Sequence, residues 1–158
     1  MSQPISRRCE TEPDRRAVIL AGAVLGTLLA VRPAQAMPDD MERAIRAFTD
    51  GAVPKPGKVA IEIAPLVENG NAVSIEVAVD HPMLPGNFVT DIAIFNEKNP
   101  LPGVAVFHLT PRAGRAHVIT RMRLATSQHV TAVARLSDGS FWSDAREVIV
   151  TIAACTEE

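Results

Sequence analysis

The sequence predicts an all-β domain: an Ig-like antiparallel β-sandwich of about seven strands, with one short N-terminal helix and a cysteine-bearing C-terminal arm. Apolar residues alternate with polar or small residues in seven short segments after residue 58, and turn residues separate the segments. No long helical pattern lies between them. Short strands without intervening helices indicate antiparallel pairing in two packed sheets, not a parallel α/β sheet.

Length and composition set the class of protein. The chain has 158 residues, which suffices for one domain, and it is 47% hydrophobic, 22% charged and 4% aromatic. This balance excludes a disordered, collagen-like or disulfide-dense chain. The formal net charge of −2 offers no electrostatic footprint for nucleic acid or an anionic membrane, so neither partner is expected.

Residues 1–36 read as a cleavable export signal. Arg15-Arg16 precedes the 15-residue apolar run Ala17–Val31, and Ala34-Gln35-Ala36 supplies a small-x-small cleavage site. The arginine pair favours twin-arginine export over the general secretory route, and both routes lead to the periplasm. The apolar run is shorter than the roughly 20 residues that span a bilayer, so no stable membrane association is expected.

Cleavage after Ala36 leaves 122 residues with 11 basic and 15 acidic side chains. Cys9 leaves with the signal, so Cys155 is the sole thiol of the mature chain and no internal disulfide can form. A lone cysteine in an exported protein is usually buried, bonded to another molecule or chemically employed.

The helix comes first in the mature domain, residues 37–152. Pro38-Asp39-Asp40 supplies acidic capping residues, and an i, i+3, i+4, i+7 apolar stripe follows at Met41, Ala44, Ile45 and Phe48. Gly51 and Pro54 end the helical pattern.

The apolar period then switches from 3.6 to 2. The seven predicted strands are residues 59–63, 73–79, 89–95, 104–109, 116–124, 129–136 and 146–152. Asn69-Gly70-Asn71 suggests a hairpin turn between the first two. Ser137–Ser140 places Phe141-Trp142 at a hairpin tip, where an exposed aromatic pair would mark an interface. Core packing of this pair is the alternative.

The arm, residues 153–158, places Cys155 three residues beyond Ile152, a reach of about 10 Å for extended chain. A thiol there suggests a covalent carrier or an intermolecular cross-link. The alternative is a small apolar side chain docked at the strand end. Glu157 and Glu158 disfavour a thiolate, so activation is expected from a partner enzyme.

The sequence does not indicate metal binding, hydrolysis or phosphate binding. No histidine or methionine follows Cys155 as a blue-copper site requires, and hydrolase and phosphate-loop motifs are absent. We therefore expect no catalytic residue, no metal and no cofactor. Surface or loop positions are expected for His81, His108, His117 and His129. A solvated strand face is favoured over an oxyanion-binding site for Arg112, Arg115, Arg121, Arg123 and Arg135.

A series of motifs extends along most of the mature chain, roughly from Met41 to Cys155. They are Glu68–Val73, His81–Met83, Glu97–Pro102, Phe107–Pro111, Thr120–Ala125, Ser127–Val130 and Ser137–Phe141. In this order they resemble the SoxY family of periplasmic sulfur-compound carriers. The resemblance implies an Ig-like domain with a flexible arm, on which Cys155 holds the substrate while enzymes of thiosulfate oxidation act on it. It also implies a heterodimer with a SoxZ-like subunit.

The arm departs from the family pattern. SoxY arms read Gly-Gly-Cys-Gly-Gly, whereas this arm reads Ala153-Ala154-Cys155-Thr156-Glu157-Glu158. Alanine and threonine restrict the backbone more than glycine, and the added carboxylates repel thiosulfate and sulfite. The chain resembles a SoxY-related branch with an Ala-Ala-Cys-x-Glu arm. A sulfur carrier that is not itself an enzyme is the favoured function, and a non-carrier binding or assembly subunit of a SoxYZ-like complex is the alternative.

Overall fold

The structure, a computed structural model, describes residues 38–152. The predicted export signal and the arm with Cys155 lie outside the described residues. Within that range the chain forms one helix, α1 (Pro38–Phe48), a 3-10 turn at Pro111–Ala113, and nine strands. The strands are β1 Lys55–Pro56, β2 Val59–Ile63, β3 Leu66–Asn69, β4 Val73–Val79, β5 Val89–Asn96, β6 Gly103–His108, β7 His117–Met122, β8 Gln128–Leu136 and β9 Phe141–Ile152.

The strands form two sheets, as the sequence predicts. The larger sheet has the order β1-β9-β8-β5-β6, with β3 also pairing β9, and the smaller sheet has the order β2-β4-β7. All seven predicted strands are confirmed, although β9 starts at Phe141 instead of Arg146. The pairing is antiparallel except that β1 and β3 run parallel to β9. These two short strands were not predicted, because neither has the alternating apolar pattern of a half-buried strand.

The segment Lys55–Asn69 explains this departure, because it changes sheets twice. β1 pairs with β9, β2 pairs with β4 in the other sheet, and β3 returns to β9. The predicted β2–β4 pairing is therefore right, with Ile61 opposite Val77. The hairpin prediction for Asn69-Gly70-Asn71 is wrong, since this turn joins β3 to β4, which lie in different sheets.

The core lies between the two sheets. Alternate residues of β2, β4, β5 and β8 point inward and are buried, and β9 adds Val148; among these residues are Ile61, Ile75, Val77, Ile92, Ile94 and Val130. Each such side chain stabilises the fold by roughly 1.5–3 kcal/mol when fully removed from water. β9 contributes Val148 to this core, with Trp142 and Val150 partly buried against it.

Helix α1 covers part of the outer face of the larger sheet. Its predicted apolar stripe packs, together with Phe141, against Ala93, Phe95 and Val133. The Arg135 guanidinium donates a hydrogen bond to the carbonyl oxygen of Phe48 at 2.5 Å. The expectation of a solvated face is therefore wrong for Arg135, which closes the end of the helix. In the described part of the chain, no helix has the length and apolar character to span a membrane.

The aromatic pair at the start of β9 is half-buried, in agreement with the core-packing alternative. The Phe141 ring meets the ring of Phe48 edge-on, with centroids 6.1 Å apart. Trp142 packs against the main core, and the Lys58 ammonium lies 4.7 Å from its ring centroid. Both side chains make intramolecular contacts, so their exposure does not by itself indicate an interface.

Candidate functional site

The place where β9 leads into the arm is the candidate site, and backbone and side-chain hydrogen bonds hold it along the β3 edge. The Ile149 amide donates to the carbonyl oxygen of Pro65 at 2.8 Å. The Thr151 hydroxyl donates to the carbonyl oxygen of Glu68 at 3.2 Å. The Gly70 amide donates to the carbonyl oxygen of Ile152 at 2.9 Å. We call residues 149–152, with residues 66–70 beside them, the arm root.

Ser127 holds the opposite edge of β9. Its hydroxyl oxygen accepts a hydrogen bond from the Val150 amide at 2.9 Å, and the hydroxyl lies 3.4 Å from the Val150 carbonyl oxygen, to which it donates. A side chain thus continues the ladder beyond the last β8–β9 pair, Gln128 and Val148. Because the arm root is held on both edges, the reach of Cys155 is counted from Ile152.

A polar network behind the arm root joins two loops at this end of the sandwich. Gln128 is only 2% exposed, and its amide oxygen accepts from the Lys98 backbone N–H at 2.8 Å. Its amide nitrogen donates to the Asn99 side-chain oxygen at 2.8 Å. Asn99 in turn donates to the Arg123 carbonyl oxygen at 2.8 Å and accepts from the Ala125 amide at 3.0 Å. Sequence reasoning assigned these residues no role, although both side chains lie in the motifs 97–102 and 127–130.

The histidines are paired across strands and loops. The ring-to-partner distances are 2.5 Å for His108 and Asp91, 2.6 Å for His117 and Glu76, 3.0 Å for His129 and Glu97, and 2.8 Å for His81 and Asn87. Hydrogen bonds from the backbone N–H and the ring of His129 lower the pKa of Glu97. No group of three potential ligands among residues 38–152 could hold a metal ion.

An open groove of about 730 Å³ lies beside the arm root, lined by β2, β3 and β4 and the segments joining them. The charged side chains that line it among the described residues are Glu62, Glu68 and Glu76. Three carboxylates repel an anion, so this groove is a poor place to hold thiosulfate or sulfite. Outside the groove, four of the five arginines are exposed, as expected: Arg112, Arg115, Arg121 and Arg123. They provide no buried oxyanion site.

These features define a class of protein, a two-sheet β-sandwich in which β9 is held by hydrogen bonds up to Ile152, three positions before a cysteine. The family model described as "Sulfur oxidation protein SoxY" matches residues 45–155. The chain belongs to the SoxY family. The match includes Cys155 as its last residue.

Solved structures support the same assignment. The sulfur carrier protein SoxY from Chlorobium limicola f thiosulfatophilum is 29% identical, with a TM-score of 0.61, and the match covers 71% of this chain and 92% of that one. Superoxide reductase (neelaredoxin) from Ignicoccus hospitalis is 17% identical, with a TM-score of 0.53 and 74% and 95% coverage. Superoxide reductase from Nanoarchaeum equitans is 17% identical, with a TM-score of 0.52 and 61% and 100% coverage. The two reductases share the fold alone. No curated protein matches the chain.

Proposed function

We propose that this protein is a covalent carrier of sulfur intermediates in the oxidation of thiosulfate or a related sulfur compound, with the cargo attached to Cys155. The observation that carries the proposal is the family match, which extends to Cys155, the one cysteine after the predicted cleavage site. The related protein from Chlorobium is itself named a sulfur carrier. By this proposal the chain is a substrate of enzymes and not an enzyme.

The geometry of the sandwich supports a carrier with a fixed body and a short reach. The hydrogen bonds at Ile149, Val150, Thr151 and Ile152 hold β9 up to its end. Cys155 follows three residues later, so its backbone can extend about 10 Å from the body. A carrier must present one sulfur atom to several active sites, and a segment that follows the last core strand does this without unfolding the core.

The chemistry of loading places demands on the partner enzyme. Joining the Cys155 sulfur to the outer sulfur of thiosulfate forms an S–S bond, releases the thiol proton and yields two electrons. The loading enzyme must therefore supply a base and pass the electrons to an acceptor. Transfer of a sulfur atom from an existing persulfide needs no external oxidant. Glu157 and Glu158 place negative charge beside the thiol, so activation within the chain alone is disfavoured.

Export and partners complete the proposal. Cleavage after Ala36 releases the mature protein into the periplasm, where the enzymes that load and unload the arm act on it. A SoxZ-like subunit forms a heterodimer with the sandwich. Function then requires no metal and no cofactor of the chain's own.

One experiment tests the proposal: the intact mass of the protein purified from its native periplasm, measured with and without reductant. We expect a chain that begins at Met37 and carries a sulfur adduct that reductant removes. The Cys155→Ser variant should unfold at nearly the same temperature and carry no adduct. If the adduct persists in Cys155→Ser, or never forms on the unaltered chain, the carrier function is wrong and the assembly-subunit alternative replaces it.

A further inference from the structure

Two large apolar side chains are exposed side by side at the arm root. Leu66 and Ile149 are 58% and 51% exposed. Leu66 and Ile149 are direct partners in the parallel β3–β9 pair, so their side chains lie on the same face of the sheet. Ile152 is also exposed, but it lies an odd number of residues after Ile149 and so points to the other face of the sheet. We call Leu66 and Ile149 the root patch.

The root patch contrasts with its surroundings. Glu68 follows Leu66 at the next outward position of β3, and Thr151 and Glu147 flank Ile149 on β9. All three are exposed. An exposed apolar group inside a polar border is typical of a surface that meets a partner. The border carries two carboxylates, which disfavours an anionic lipid surface as the partner.

The short distance between Ile152 and Cys155 indicates which partner the root patch meets. Because Cys155 lies three residues from Ile152, its sulfur reaches only a site within about 10 Å of the root, apart from the length of its own side chain. An enzyme that takes this sulfur into its active site must therefore approach this end of β9, where Leu66 and Ile149 form an exposed apolar pair. We infer that the root patch is the docking surface for the enzymes that load and unload Cys155. Each enzyme then presents an apolar rim around the channel that admits the arm.

This inference rests on the proposed function, and it explains why the patch is small and open. A permanent subunit seated on Leu66 and Ile149 would block the approach of every enzyme to the arm. A contact of few apolar side chains is weak and short-lived, as a carrier that visits several enzymes requires.

The test is a double variant, Leu66→Thr with Ile149→Thr, in the full-length chain exported and purified from its native host. Ile119→Thr is the matched control, because Ile119 is 64% exposed on β7 in the other sheet. The periplasmic extract of the host supplies the enzymes, thiosulfate is the sulfur donor, and intact mass gives the initial rate of adduct formation at increasing carrier concentration. We expect the KM for the carrier to rise about tenfold in the double variant, with kcat within about twofold because the chemical step is untouched. The control should match the unaltered chain.

Several results would overturn the inference. An unchanged KM in the double variant, or an equal rise in Ile119→Thr, would remove the root patch as a specific docking surface. Loss of a co-purifying SoxZ-like subunit from the double variant would assign the patch to a subunit interface instead. An unchanged KM with the adduct still on Cys155 leaves the carrier function intact. Absence of any adduct on the unaltered chain removes the carrier function and the docking surface together.

Discussion

Replacing Arg135 with alanine tests how α1 is fastened to the sandwich. The guanidinium donates to the Phe48 carbonyl oxygen at 2.5 Å and lies 5.0 Å and 5.2 Å from the ring centroids of Phe48 and Phe141. Its carboxylate neighbours, Asp50 and Asp91, are 3.8 Å and 3.9 Å away. The side chain is 34% exposed, so water screens these interactions only in part.

The expected loss of stability follows from these contacts. A hydrogen bond from a charged group contributes about 1.5–3 kcal/mol, and partial exposure brings it to the lower end of that range. Each contact of the cation with a ring adds about 0.5 kcal/mol at such a site, and the long ion pairs add little. We expect the free energy of unfolding to fall by about 2–3 kcal/mol. For a domain of this size the Tm then falls by roughly 8–12 °C.

Thermal unfolding followed by circular dichroism measures the change in Tm, and hydrogen exchange of the α1 amides shows whether the helix has loosened. The Tm of Arg135→Lys should lie between those of the unaltered chain and Arg135→Ala, because an ammonium keeps the charge but loses the planar fork that stacks on the rings. Arg121→Ala is the control, since Arg121 is exposed on β7 and its loss should cost at most about 0.5 kcal/mol. A Tm shift in Arg135→Ala no larger than in this control would refute the fastening role.

Two further predictions concern the arm root and the pH dependence of stability. Ser127→Ala should lower the free energy of unfolding by about 1 kcal/mol and speed hydrogen exchange at residues 149–152, because β9 loses its side-chain partner. The exposed Ser74→Ala is the control, and equal exchange in both variants would contradict the anchoring role. The pKa of Glu97 is lowered by its hydrogen bonds from His129, so its contribution to stability is present above the unfolded value of about 4.3 and is lost as the pH falls through the lowered pKa. Urea unfolding should therefore show that the free energy of unfolding falls less between pH 6 and pH 3 in Glu97→Gln than in Glu62→Gln. An equal fall in both variants would count against the Glu97–His129 pairing.

Much of the fold was predictable because it depends on local patterns. The period-2 alternation of Val73, Ile75, Val77 and Val79 produces a half-buried strand in any sandwich, and the 3.6-period stripe before Phe48 produces a helix with one apolar face. The seven strands and the helix were therefore identified from sequence. Their ends shifted by a few residues, since strand ends depend on partners that the sequence does not display.

The residues at the candidate site were less predictable. Ser127 and Gln128 read as turn and strand-start residues, yet one continues the β9 ladder and the other joins two loops through Asn99. These roles depend on residues more than 20 positions apart in the chain. The same holds for Arg135, whose partner Phe48 is 87 positions away. No local pattern encodes such pairings.

The sequence by itself determined the all-β class, the helix that ends at Phe48, the family and the position of Cys155 three residues after Ile152, because these follow from local periodicity and from motifs in order. Only the tertiary structure decided that Lys55–Asn69 pairs with both sheets, and that Leu66 and Ile149 share one exposed face. Pairing in a sheet depends on which backbone donors and acceptors remain open along an edge after the core has packed. That edge belongs to β9, which lies about 80 positions further along the chain, so its pairing with β1 and β3 is visible only in the folded protein.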